Sequence, residues 1–271
     1  MRLFHKINDK AGACYFEDIP KIIDNIKKSN ISKLYCLLGW TKYSDKHYEQ
    51  CKDILSLIPL KLEITILCNT AKEQDFFETK LPFIRTLQIN QNCFLNPCLY
   101  KKCTNSCNDR KYTAISIARI TPFKKLERII DKDYMRVLFI GDYSKSEKGY
   151  AMRFIRLARS LGHDHIKKVK NKDLHKYFHQ SIHYVIASDE EGANFAQAEA
   201  ILSGLRVYDL AENPLGRKLM TIRELNDDFS KFIRELENIG IKEFSLPHKL
   251  GLKVSYLSYW INIIRTKFAK L

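Results

Sequence analysis

The chain has 271 residues, 45% of them hydrophobic, enough for one large packed domain or two small ones, and this excludes a disordered chain. Lys and Arg number 46 against 31 Asp and Glu, a net charge of +15 that is spread along the chain. Such a balance implies an anionic partner (nucleic acid, anionic lipid or a phosphorylated substrate) and says nothing of fold. No charged-then-apolar leader opens the sequence and no apolar run is long enough for a bilayer, so a cytoplasmic location is expected.

In chain order, apolar runs at 2–7, 34–38, 62–68 and 86–89 read as strands, with helices expected at 16–28, 45–57 and 71–79. Residues 9–14 then form the loop between the first strand and first helix. Its Gly12 would let a phosphate approach the backbone, or marks a plain turn. All eight cysteines precede residue 108, and Cys36 and Cys68 fall in apolar runs as buried thiols. Cys93, Cys98, Cys103 and Cys107 form a cluster whose spacing is looser than a zinc knuckle, so a zinc site and a plain loop in a reducing compartment both stay open.

Residues 91–111 are polar, Cys- and Asn-rich and without periodicity, which marks a domain break. Beyond it, strands are expected at 114–120, 136–140, 166–169, 184–187 and 207–210. Helices are expected at 124–131, 147–161, 172–180, 194–203 and 222–236, with a last one at 255–270. Alternation of this kind predicts an α/β chain of parallel sheets with helices on both faces. Two domains are expected, 1–105 and 106–271, with a cleft between them and ligands at the carboxyl ends of strands. The last helix is expected to pack back on the first domain.

Four features carry chemistry. Arg119 closes one strand and Lys124 opens the next helix, so a planar fork and a point charge can converge on a diphosphate; the plain alternative is a solvated basic turn. Gly141 and Asp142 close the following strand, where glycine permits close backbone approach. Asp131-Lys132-Asp133 has the two-carboxylate pattern of metal-dependent sugar transferases but reads as a solvated turn. In Ser188 to Gly204, Asn194 is the expected N-cap of a helix that Gly204 ends. Glu191 lies in the loop ahead of that helix and Glu199 inside it. Two carboxylates around free backbone N–H groups suit a ligand with both hydroxyls and phosphate. The eight histidines are scattered, and His5 and His47 are the acceptor-side candidates.

Ala118-Arg119…Lys124, Gly141-Asp142, then Ser188…Glu191-Gly192…Glu199-Ala200…Gly204…Val207 resembles the retaining GT-B glycosyltransferases of family 4, over about 95 residues in the same order. The resemblance implies two Rossmann-like domains facing a cleft, here with a reduced N-terminal domain. It implies that Arg119 and Lys124 hold the donor diphosphate, and that Glu191 contacts the sugar hydroxyls. Backbone N–H groups of Gly192, Ala193, Asn194 and Phe195 would support sugar and phosphate, and Glu199 the ribose. Gly12 and Gly141 would line the donor site. No metal is implied, the donor being a nucleotide sugar, with UDP-glucose expected.

For the acceptor, the basic chain favours double-stranded DNA, as in the T-even-type phage glucosyltransferases acting on hydroxymethylcytosine. A viral chain would then act in the host cytoplasm. A lipid-linked or surface glycan at the membrane surface is the alternative, and a basic nucleic-acid-binding protein without chemistry is a third.

Overall fold

The structure is a computed structural model that describes residues 4–39, 45–95, 100, 109–130, 136–170, 173–189, 194–211, 221–241, 243–245 and 253–255. The first apolar run is short. Strand β1 (Phe4–Lys6) turns back at once on β2 (Ala11–Tyr15), antiparallel, with His5 opposite Ala13 and Lys6 opposite Gly12. The Asn8 side chain makes the turn: its Oδ1 accepts from the N–H groups of Lys10 and Ala11, both at 2.9 Å. This corrects the expectation of a loop over 9–14. Of residues 9–14 only Asp9 and Lys10 belong to the turn, and Gly12 is a buried strand residue.

Strands β3 (Lys33–Leu37), β4 (Glu63–Cys68) and β5 (Arg85–Gln88) follow in parallel, giving the order β1-β2-β3-β4-β5. Helices α1 (Ile19–Lys28), α2 (Asp45–Ser56) and α3 (Ala71–Lys80) connect them. Each strand lies beside the next in sequence, so right-handed crossovers carry all three helices to one face. The buried cluster agrees: Cys14, Leu34, Cys36, Ile66 and Cys68 pack with Ile19, Ile22, Cys51 and Phe77. Cys36 and Cys68 are buried free thiols, as expected.

The second sheet comprises β6 (Tyr112–Ile117), β7 (Val137–Ile140), β8 (Asp164–Ile166), β9 (Ser181–Ile186) and β10 (Arg206–Asp209). All pairs are parallel and the order is β10-β9-β6-β7-β8. Helices α4 (Glu127–Ile130), α5 (Lys148–Ser160), α6 (Leu174–His179) and α7 (Phe195–Leu202) lie between these strands. Because the chain runs outward from β6 in both directions, the order reverses between β6 and β9, and the helices divide between the faces. All four residues of β7 are buried, the continuous apolar run of a strand covered on both sides. Asn194 caps α7, its Oδ1 accepting from Gln197 N–H at 3.0 Å, and Gly204 follows with φ +85°, both as expected.

Helix α8 (Ile222–Asn238) returns to the first unit. It buries Leu225, Phe229, Phe232, Ile233 and Leu236 and sets Phe232 edge-on to Tyr35 of β3, centroids 5.6 Å apart. The described residues of 1–98 and 223–271 make one compact unit, and those of 99–215 and 219–222 the other. The helix that returns is thus α8, which the boundary at 106 leaves in the second domain; the helix expected at 255–270 lies almost wholly outside the described residues. Strands β11 (Glu243–Ser245) and β12 (Lys253–Ser255) form a separate antiparallel pair. No helix among the described residues is long and apolar enough to cross a membrane.

Candidate functional site

The carboxyl ends of β6, β7 and β9 bring the chemistry-bearing residues of the second unit together. Past β6 and β7 the ladder continues: Ala118 N–H donates to Ile140 O at 3.1 Å and Ile120 N–H to Asp142 O at 2.9 Å. A Cβ on Gly141 would stand 1.8 Å from Ala118 O. Close approach between two stretches of this chain's own backbone therefore requires the glycine, and that approach holds Ala118–Arg119 beside Gly141. Arg119 is exposed at this strand end. Residues Ile117, Ala118, Arg119, Gly141, Asp142 and Lys167 are among those lining an open hollow of about 620 Å³. Asp142 accepts from Tyr143 N–H at 2.8 Å and faces Lys167 Nζ at 3.5 Å; that backbone bond and the lysine hold its pKa below the usual carboxylate value.

The chain then turns through a short 3-10 helix, Pro122–Lys124, in place of the expected start of an α-helix, with Lys125 left-handed at φ +49°. The Lys124 ammonium lies 5.4 Å from the Phe123 ring centroid. Lys124 also lines a narrow gap at the switch point between β6 and β9, together with Ile117, Tyr184, Ser188 and Asn194. The Tyr184 hydroxyl spans that gap, 3.4 Å from both Ile117 O and Asn194 Oδ1. Glu199 sits in the second turn of α7, fully buried, and Phe195 begins that helix half-buried. Glu191, Gly192 and Ala193 lie outside the described residues, as do Asp131, Lys132 and Asp133.

One pair at this site is not visible in the sequence. Arg128 of α4 donates from Nη1 to Ala187 O at 2.9 Å and forks onto Asp189, Nη1–Oδ1 2.5 Å and Nη2–Oδ2 3.3 Å. Both partners are about three-quarters buried, with 20% and 27% of their side chains exposed. A charged residue on a four-residue helix reads locally as solvated, and nothing in its spacing reveals a partner 61 positions on.

In the first unit, His5 lies in the edge strand β1 and His47 in α2. Gly12 lies under the Phe4 ring: a Cβ there would meet Phe4 Cε2 at 2.6 Å, a contact that the end of that side chain can relieve. A polar cluster with no signature in the sequence is buried at the carboxyl ends of β4 and β5. Asn69 Oδ1 accepts from Gln91 N–H at 3.1 Å, and Gln91 Nε2 donates to Leu38 O at 3.2 Å. Glu73 accepts from the N–H groups of Asn69 and Thr70. Cys98, Cys103 and Cys107 lie outside the described residues, and the Cys93 side chain is not among those described. Among the described residues, no three or more His, Cys, Asp and Glu side chains gather as metal ligands.

No protein-family model matches the chain, and none of the curated proteins compared with it does. Solved structures do resemble it. TarM aligns over 86% of this chain and 49% of its own at 13% identity, TM-score 0.50. HepE from Anabaena, in complex with UDP and glucose, aligns over 80% and 73% at 13% identity, TM-score 0.49. The pneumococcal O-GlcNAc transferase GtfA, in complex with UDP and GlcNAc, aligns over 92% and 53% at 12% identity, TM-score 0.49. The chain spans about half the length of TarM and GtfA. At these identities the likeness concerns fold alone, and the match to TarM carries it. The chain has the α/β GT-B fold, with two units each built on a largely parallel sheet.

Proposed function

We propose that the chain is a nucleotide-sugar-dependent glycosyltransferase that moves a hexose, glucose in the first instance, from a UDP-sugar to an acceptor hydroxyl with retention of configuration. The observation that supports this best is the convergence at the switch point. Lys124 from the turn after β6, Ser188 from the end of β9 and Asn194 at the start of α7 line one gap, with Arg119 and Gly141 at the adjoining strand ends. In open α/β sheets this crevice is where ligands bind. The N-terminus of α7 adds the backbone N–H groups of a first helical turn and the positive end of a helix dipole.

In this reading the bond between the anomeric carbon and the diphosphate oxygen breaks, and its electron pair goes to the diphosphate. Arg119 and Lys124 neutralise the charge that develops there. The acceptor hydroxyl oxygen bonds to the anomeric carbon on the face the diphosphate leaves, and its proton passes to the departing diphosphate oxygen. Glu191 holds the sugar hydroxyls, with the N–H groups of Gly192, Ala193, Asn194 and Phe195 beside them. The resemblance assigns Glu199 to the nucleotide ribose, but its side chain is fully buried, and in this conformation the ribose does not reach it. Two cations and a helix end supply the counter-charge without a metal. Gly12, His5 and His47 belong to the unit that would receive the acceptor. That acceptor is proposed to be duplex DNA, on the strength of the +15 charge.

The test is the Glu191→Ala variant, assayed with a panel of nucleotide sugars. It should lose sugar release and transfer while melting at the wild-type temperature. Turnover retained by that variant would overturn the assignment.

A further inference from the structure

We infer that Arg128 and Asp189 are positioning residues that fix the distance between the two halves of the donor site, an inference that rests on the nucleotide-sugar reading above. The geometry is specific. Arg128 belongs to α4, the helix that directly follows the Arg119–Lys124 turn. Asp189 lies one residue past Ser188 and two residues before Glu191. The fork between them, together with the Arg128 bond to Ala187 O, ties the helix after the Arg119–Lys124 turn to the stretch Ala187–Asp189 that follows β9. A guanidinium is suited to this, because its planar fork sets angle as well as distance, which an ammonium cannot do. Neither residue need touch the donor. What they hold is the spacing between the Arg119–Lys124 turn and the Ala187–Asp189 stretch ahead of α7.

The experiment uses the full chain with UDP and UDP-glucose, reading binding of each and the rate at which water slowly hydrolyses UDP-glucose to glucose and UDP. Arg128→Met and Arg128→Lys should each slow hydrolysis by about 10- to 100-fold, the cost of a misplaced reacting group. UDP affinity should change by less than about 3-fold, because UDP lacks the sugar that Glu191 would hold. Asp189→Asn should show the same split, and the Arg128→Met/Asp189→Asn double variant should be no worse than Arg128→Met alone, the signature of one shared interaction. A merely structural pair would instead lower melting temperature and weaken UDP and UDP-glucose alike. Wild-type hydrolysis in Arg128→Met, or additive losses in the double variant, overturns the inference. If the wild-type chain binds neither UDP nor UDP-glucose, the donor reading falls and this inference falls with it. Should Arg128→Met fail to fold, Asp189→Asn removes the same fork from the loop side, and its hydrolysis rate and UDP affinity decide the matter in the same way.

Discussion

Glu73 follows Thr70 at the spacing of a capping box, and both bonds of that box are made: Thr70 Oγ1 accepts from Glu73 N–H, and the Glu73 carboxylate accepts from Thr70 N–H. Burial raises its pKa to about 7, against the N–H groups of Asn69 and Thr70, which pull the other way. The folded chain thus holds this proton more tightly than the unfolded chain. Its contribution to stability is complete below the unfolded value of 4.5 and is lost as pH rises through about 7. Glu73→Gln keeps an acceptor for the cap and removes the buried charge. Urea unfolding from pH 5 to pH 8 should show wild type losing on the order of 2–3 kcal/mol relative to that variant. The Thr70–Glu73 spacing is a local feature of the chain, but the burial that shifts the carboxyl belongs to the folded unit and leaves no mark in that spacing. Gly141 follows the same rule: it stands out in the sequence as a glycine, yet close approach to the Ala118 backbone is what requires it.

Helix α8 is the element on which the first unit's second face depends. Its Glu235, 6% exposed, bonds to both ends of the Arg85 guanidinium, lies 3.1 Å from Lys33 Nζ and accepts from the Tyr35 hydroxyl at 3.2 Å. Burial alone would raise its pKa, but Arg85 and Lys33 outweigh it and the net shift is downward. The stability this network supplies is therefore present above pH 4.5 and is lost as pH falls through the lower folded value. Glu235→Ala leaves Lys33 buried without this partner, although Glu63 remains at 2.9 Å. It should cost about 3 kcal/mol in urea unfolding at pH 7, and less on acidification. The amphipathic period of α8 was plain in the sequence, since spacing shows that one face is apolar. The sequence could not show which sheet that face meets: Tyr35 lies 200 positions away and Arg85 150.

At the scale of the whole molecule, the excess of positive charge is what the proposed DNA acceptor rests on. The DNA proposal predicts retention on duplex DNA that falls steeply as salt rises from about 50 to 200 mM, with little co-sedimentation on vesicles rich in anionic lipid. Vesicle binding with no DNA retention would replace DNA by a lipid-linked or surface glycan. Retention on neither would point to a soluble acceptor. The sequence by itself determined the alternation of strands and helices, the capped start of α7 and the strand ends where the basic turn and the acidic loop stand. These follow from periodicity and capping, which act over a few neighbouring residues. Only the tertiary structure decided the strand order β10-β9-β6-β7-β8 and hence the switch point, the place of Gly12 within a hairpin strand, the return of α8 to the first sheet, and the fork between Arg128 and Asp189. Each of these depends on pairing between residues brought together by folding, and such partners leave no mark in the local spacing of a chain.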